Sequence, residues 1–172
     1  MNNKTTAIFG DLTALFNARS RFRKTINYKL LDEVLRKNSD IEKWDVNRWY
    51  TIFSDNNKAQ ASFIEGLKSL GWDVETLKSK NVHKFNKHSD YRFDSRICYQ
   101  LGTCSGEIDN IVVVSDSFDL YYSIKDLKED DCDINVSLAF FGDALDGRWW
   151  KVLNKEDSVV NFVDLDDLLY RS

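Results

Sequence analysis

The chain has 172 residues, 42% of them hydrophobic and 30% charged, with a net charge of −4 and a pI of about 5.2. That is enough chain for one domain with a real core, expected over 1–172, and the acidic balance excludes a protein that binds nucleic acid through its whole surface. No apolar run approaches the roughly 20 residues of a membrane span, and the opening MNNKTT lacks the apolar stretch of a signal peptide.

An apolar strand is predicted over 5–10, followed at once by Asp11. A helix over 13–18 leads into a basic stretch that holds Arg19, Arg21, Arg23 and Lys24. A second helix over 28–37 carries Leu30, Leu31, Val34 and Leu35 on one stripe. An aromatic strand over 49–54 runs into Asp55-Asn56-Asn57, a turn and N-cap cluster. The helix over 58–70 places Ala59, Phe63, Leu67 and Leu70 on one face, and Gly71 follows in the position where a left-handed residue ends a helix. A strand over 72–77, a polar loop over 78–90 and a short helix over 92–101 come next. The run IVVVS over 111–115 is continuous in apolar residues, as in a strand buried on both faces. A helix over 119–129, a strand over 134–140, a helix over 144–153, a strand over 159–163 and a terminal helical turn over 166–170 complete the chain. Strands alternating with helices predict an α/β fold. It should be a three-layer, Rossmann-like sandwich around a central, mostly parallel sheet.

Four of these strands run into, or lie just before, an aspartate: Asp11, Asp55, Asp116 and Asp143. Ligands of parallel sheets bind at the carboxyl ends of the strands. Carboxylates gathered there repel one another unless a cation holds them. Asp94 opens the helix FDSRICYQL and lies four residues before Cys98 and seven before Leu101, so it projects on the same face as that helix's apolar stripe. Asp116 and Asp119 stand together just past the strand over 111–115. Each aspartate also has a plain structural role open to it, as a helix N-cap.

Oxygen donors of this kind suit Mg²⁺ or Mn²⁺. Such a cation activates water near neutral pH and stabilises charge on a phosphoryl oxygen. Zinc is not expected, because no thiolates and imidazoles cluster at suitable spacing, and no glycine-rich phosphate loop is present. Cys98, Cys104 and Cys132 are odd in number and read as free thiols in a cytoplasmic protein. Positive charge is local. One group is Arg19–Lys24; the other runs from Lys78 to Arg92 through Lys84 and Lys87, with Phe85 and Tyr91 interleaved. Such groups beside an acidic metal site suit a phosphodiester backbone, with aromatics for unpaired bases.

The order of these motifs resembles the NYN family, the LabA-like branch of the PIN-like nucleases, over nearly the whole chain. The likeness is carried by AIFGDLTALF, WYTIFSD with ASFIEGLKSLGWDVETL, RFDSRICYQL, VVVSDSFDLYYSIKDL and VVNFVDLDDLL. It implies a PIN-like domain, metal-dependent cleavage or processing of RNA, and acidic ligand positions at Asp11, Asp94 and Asp119. The chain departs from the family where an asparagine is usual (Ala14), at the first aspartate of the fourth motif (Ser117) and at a later acidic position of the third-motif helix (Gln100). Asp116 stands one place before Ser117. Asp164 and Asp166 are weaker acidic candidates.

The expectation is a cytoplasmic ribonuclease that uses Mg²⁺ or Mn²⁺. Asp11, Asp94, Asp116 and Asp119 would be catalytic, and Asp11, Asp94 and Asp119 would hold the metal. Arg21, Arg23, Lys84, Lys87 and Arg92 would contact RNA; no membrane is involved, and a homodimer is left open. The competing expectation is a member of the same fold that has lost catalysis and binds RNA or a protein. A phosphoacceptor receiver would need paired acids after the first strand and a lysine after a later one. Leu12 and Gly142-Asp143 do not supply them.

Overall fold

Two apolar runs, AIFG and NIVVV, become the middle of a six-stranded sheet. Both are buried along nearly their whole length, which is why their apolar residues run on without alternating. The computed structural model describes residues 4–22, 25–54, 57–78, 92–104, 106–156 and 158–170.

In chain order the elements are β1 (Thr6–Asp11), α1 (Leu12–Phe22), β2 (Thr25–Ile26), α2 (Tyr28–Asn38), β3 (Val46–Phe53), α3 (Lys58–Ser69), β4 (Asp73–Lys78), α4 (Asp94–Thr103), β5 (Asn110–Val114), α5 (Leu120–Asp130), β6 (Asn135–Phe140), α6 (Gly147–Leu153), β7 (Asn161–Asp164) and β8 (Leu169–Tyr170). Short 3₁₀ turns span Gly142–Ala144 and Asp166–Leu168. The main sheet has the order β4-β3-β1-β5-β6-β7, and every pairing in it is parallel. Helices cover it as an α/β three-layer sandwich, as the alternating pattern predicts.

The helices pack in two groups, reached as the chain runs in opposite directions along the sheet. From β1 through β3 to β4 the chain moves one way, and α1, α2 and α3 meet through Phe16, Tyr28 and Phe63, whose rings pack edge to face at 4.9–6.2 Å. From β4 through β5 and β6 to β7 it moves the other way, and Tyr121 of α5 meets Trp149 of α6 edge-on at 6.0 Å.

The caps at Asn57 and Gly71 are those the sequence suggests, and the structure adds one at Asn27. Asn27 accepts from the Leu30 amide, Asn57 accepts from the Gln60 amide, and Gly71 ends α3 at φ +86°. Gly10 is required for a different reason. A Cβ there would overlap the Trp49 indole, which is itself stacked on Trp72 at 4.1 Å.

Three local expectations are corrected. Leu30 and Leu70 are 41% and 45% exposed; Leu31 and Leu35 bury α2, and Ile64 and Leu67 bury α3, because the sheet meets a narrower stripe than the apolar spacing offered. The chain end is a 3₁₀ turn that opens into β8, antiparallel to β2, where a helical turn was expected. The short β2 has no strand pattern of its own and forms because β8 pairs with it. Asp55 and the loop over 79–91 lie outside the described residues. No helix among the described residues is long and apolar enough to cross a membrane.

Candidate functional site

β1 and β5 are neighbours in the sheet, but the chain leaves them in opposite directions. At such a reversal the two loops diverge and leave a crevice at the carboxyl ends of the strands. Asp11 is the last residue of β1, and Ser115-Asp116 follow β5 directly.

Asp11 has no exposed surface. Its Oδ1 accepts the Ala14 amide at 2.9 Å, which caps α1, and its Oδ2 accepts the Phe93 amide at 3.3 Å, just before α4. Burial pushes its carboxyl up from the ordinary 3.8 to about 7. The two amide bonds oppose that shift, and the charges of Asp94 and Asp116 add to it.

Phe93 is buried and stacks on Tyr50 at 5.7 Å. Its ring and its amide together fix where α4 begins, so Asp94 is presented from the first turn. Asp94 Oδ2 accepts the Ser117 hydroxyl at 2.9 Å. Its Oδ1 is shielded from solvent and has no hydrogen-bond partner among the described residues. Burial raises the Asp94 carboxyl; Ser117 and Arg92 oppose the rise, while Asp119 and Asp116 add to it.

The loop after β5 folds on its serines. The Ser117 amide donates to Ser115 Oγ at 3.2 Å, and the Asp119 amide donates to Ser117 Oγ at 3.3 Å. Asp119 stands at the start of α5 without making a side-chain cap bond, so its carboxylate is not used as an N-cap. Arg92 Nη1 lies 3.3 Å from Asp116 Oδ1, an ion pair whose geometry makes no hydrogen bond; that oxygen too is shielded and accepts none. Burial raises the Asp116 carboxyl against the pull of Arg92, with a smaller push from Asp146.

These groups line a cleft of about 340 Å³ whose walls are Arg92, Asp94, Asp116, Ser117, Phe118, Asp119, Ala144, Asp146 and Arg148. Asp94, Asp116, Asp119 and Arg92 of the predicted set therefore share one cavity. Asp11 lies outside its lining, fully buried and joined to the start of α4. Arg21 sits in the last turn of α1. Ten residues of helix at about 1.5 Å each carry it away from the end of β1, and it does not line the cleft. Arg23, Lys84 and Lys87 lie outside the described residues. Asp164 accepts the Gly142 and Asp166 amides at 3.2 and 3.0 Å and does not line the cleft.

Two cleft residues escaped the sequence reading. Asp146 caps α6 through the Arg148 amide, and its carboxylate grips the Arg148 guanidinium. The signal available was a D-x-R spacing at a helix start, which reads as an ordinary cap. Ser117, where the family resemblance would place an aspartate, instead donates to Asp94 and ties α4 to α5.

Among the described residues no three His, Cys, Asp or Glu side chains come together as a group that could hold a metal ion. No protein-family model matches the chain, and no curated protein matches it. A solved structure does: a protein of unknown function from Vibrio parahaemolyticus has a TM-score of 0.71 and 15% identity, with 99% of each chain covered. At that identity the likeness speaks for the fold alone.

Proposed function

We propose that this protein is a metal-dependent ribonuclease that works in the cleft at the carboxyl ends of β1 and β5. One observation carries the reading: Asp94 and Asp116, brought together from α4 and the loop after β5, each keep a solvent-shielded carboxylate oxygen that accepts no hydrogen bond. The Asp94 oxygen has no hydrogen-bond partner among the described residues and the Asp116 oxygen has only its ion pair with Arg92, and a shielded carboxylate oxygen left so is costly. A divalent cation would meet it and reverse the rise in both carboxyl pKa values. The donors are all hard oxygens. Mg²⁺ is commonly held through one or two carboxylates while it keeps several waters, so a three-acid cage is not required. Asp94 and Asp116 would hold Mg²⁺ or Mn²⁺ while it keeps its waters, with Asp119 at the rim of the same cleft and Asp11 organising the start of α4. The cation would supply an activated water and neutralise charge on a phosphoryl oxygen. Arg92 is the cleft's own counter-charge to Asp116, and it could move to a substrate phosphate when a cation takes its place.

The test is cleavage of a labelled RNA with Mn²⁺ or Mg²⁺, alongside the melting temperature with and without metal. Metal should raise the melting temperature by mass action on the folded state, and Asp94→Asn should lose both effects. A wild type that neither cuts nor is stabilised would sink the reading. A second reading, RNA or protein binding without catalysis, is favoured by the Arg92–Asp116 ion pair and by Ser117, which together make an acidic cluster that is partly satisfied without metal.

A further inference from the structure

We propose that Arg148 is the phosphate-binding residue of this cleft and that Tyr122, which lies outside the cleft's lining but packs on the same Phe118, stacks an unpaired base, so that the two together select single-stranded nucleic acid. The inference rests on the ribonuclease reading for the identity of the ligand, but on different residues and a different measurement.

Arg148 is held on two sides. Its Nε donates to Asp146 Oδ1 and Oδ2 at 3.1 and 3.2 Å, and its Nη2 donates to Asp146 Oδ2 at 2.8 Å. Its guanidinium carbon sits over the Phe118 ring, 4.8 Å from the centroid. A guanidinium carries five N–H donors in a rigid fork. Asp146 engages Nε and one Nη2 hydrogen, which leaves both Nη1 hydrogens and one on Nη2. The side chain is 56% exposed and lines the cleft, so these donors are fixed in direction and open to a ligand. A surface arginine without such supports would lose side-chain entropy on binding; here the fork is already ordered.

Tyr122 is 64% exposed and yet supported. Phe118 meets it edge-on at 6.4 Å and Tyr121 at 5.4 Å. Phe118 thus underlies both the guanidinium and the tyrosine. A cation and an exposed aromatic on one support match a phosphate and its neighbouring base. A duplex offers the phosphate but hides the base face, so only an unpaired strand uses both.

The charge of the cleft adds a condition. Four carboxylates, Asp94, Asp116, Asp119 and Asp146, face two guanidiniums, Arg92 and Arg148. When all are ionised, two negative charges stay uncompensated, which disfavours an anionic ligand. A divalent cation in the cleft should therefore tighten binding at Arg148, and by linkage the nucleic acid should tighten the cation.

The experiment measures fluorescence anisotropy of a labelled single-stranded oligouridine, with a duplex of equal length for comparison. Ca²⁺ stands in for Mg²⁺, and the salt concentration is varied. Arg148→Ala should weaken single-strand binding roughly tenfold and reduce the steepness of the log affinity against log salt line by about 0.7, the value for one phosphate contact on a single strand. Arg148→Lys should keep the slope and recover part of the affinity. Tyr122→Ala should weaken the single strand by roughly fivefold or more, leaving the duplex and the salt slope unchanged. Arg148→Ala combined with Asp146→Asn keeps the formal charge of the cleft; it should stay as weak as the single variant. Recovery to wild-type affinity would mean that only net charge matters and would overturn the assignment, as would an unchanged slope in Arg148→Ala. A wild type that binds no oligouridine overturns it outright. A wild type that binds through Arg148 and Tyr122 but never cuts RNA leaves this inference standing and removes the ribonuclease reading.

Discussion

Both ends of the central sheet carry aspartates, and the two ends use them in opposite ways. At the amino ends of the strands Asp45 Oδ2 accepts the Thr6 amide at 2.8 Å and the Thr6 hydroxyl at 3.2 Å, and Asp109 Oδ2 accepts the Thr5 amide at 2.7 Å. These acids fasten neighbouring segments to the start of β1. At the carboxyl ends, Asp94 and Asp116 keep shielded oxygens without hydrogen-bond partners, and their carboxyls are pushed above the ordinary range. What separates the two ends is hydrogen bonding: the amino-end acids hold backbone amides, whereas the shielded oxygens of Asp94 and Asp116 accept none, although Arg92 pairs with Asp116. Asp11 falls between them. It belongs to the site end by position, but both of its oxygens already accept backbone amides.

The largest effect expected from breaking this contrast is on cleavage. Asp94→Asn keeps the size of the side chain and can still accept from Ser117. It should nevertheless lower RNA cleavage by at least about a hundredfold, because losing even the outer-shell partner of a bound metal can cost that much. Activity that survives this change would make the cleft acids as structural as those at the other end.

Asp11 should respond in stability as well as activity. Asp11→Ala leaves the Ala14 and Phe93 amides buried without their acceptor and should cost about 2–4 kcal/mol in chemical denaturation. Asp11→Asn retains one carbonyl acceptor and should cost less. The pH dependence sharpens the point. The folded protein holds the Asp11 proton up to about pH 7, whereas a free carboxyl releases it near 3.8. Between those values the folded state binds the extra proton, so this contribution to stability is complete below pH 4 and declines as the pH rises. Above about 7 it is gone. Wild-type stability should fall relative to Asp11→Asn by about 1.4 kcal/mol per pH unit within that window. Parallel curves for the two proteins would show that Asp11 is ionised throughout.

The smallest effect belongs to the amino end. Asp45→Ala removes the acceptor of the buried Thr6 amide and should cost about 1 kcal/mol, with no change in RNA cleavage per folded molecule. A loss of cleavage there would erase the distinction between the two ends.

Much of this organisation could be read from residue order. The strand ends at Asp11 and Asp116, the caps at Asn57 and Gly71 and the parallel sheet all follow from local period and turn chemistry, which act over a few residues. The narrower apolar stripes of α2 and α3 did not, because how much of a stripe is covered depends on the angle at which a helix meets the sheet. The pairing of β2 with β8 was also hidden, since two residues have no period and need a partner from the far end of the chain.

The site divides in the same way. The sequence alone determined that aspartates would stand at the carboxyl ends of buried strands, because a hydrophobic run sets where a parallel strand ends and the next residue must lie at the crevice. Only the tertiary structure decided which of them are free to act. Asp11 is occupied by an amide from a segment 82 residues away. Ser117 reaches Asp94 across 23 residues. Asp146 and Arg148 join the cleft from the start of α6, two strands after Asp94. Hydrogen-bond satisfaction is a property of where chains meet in space, so spacing along the chain can nominate a carboxylate but cannot tell whether its oxygens are already in use.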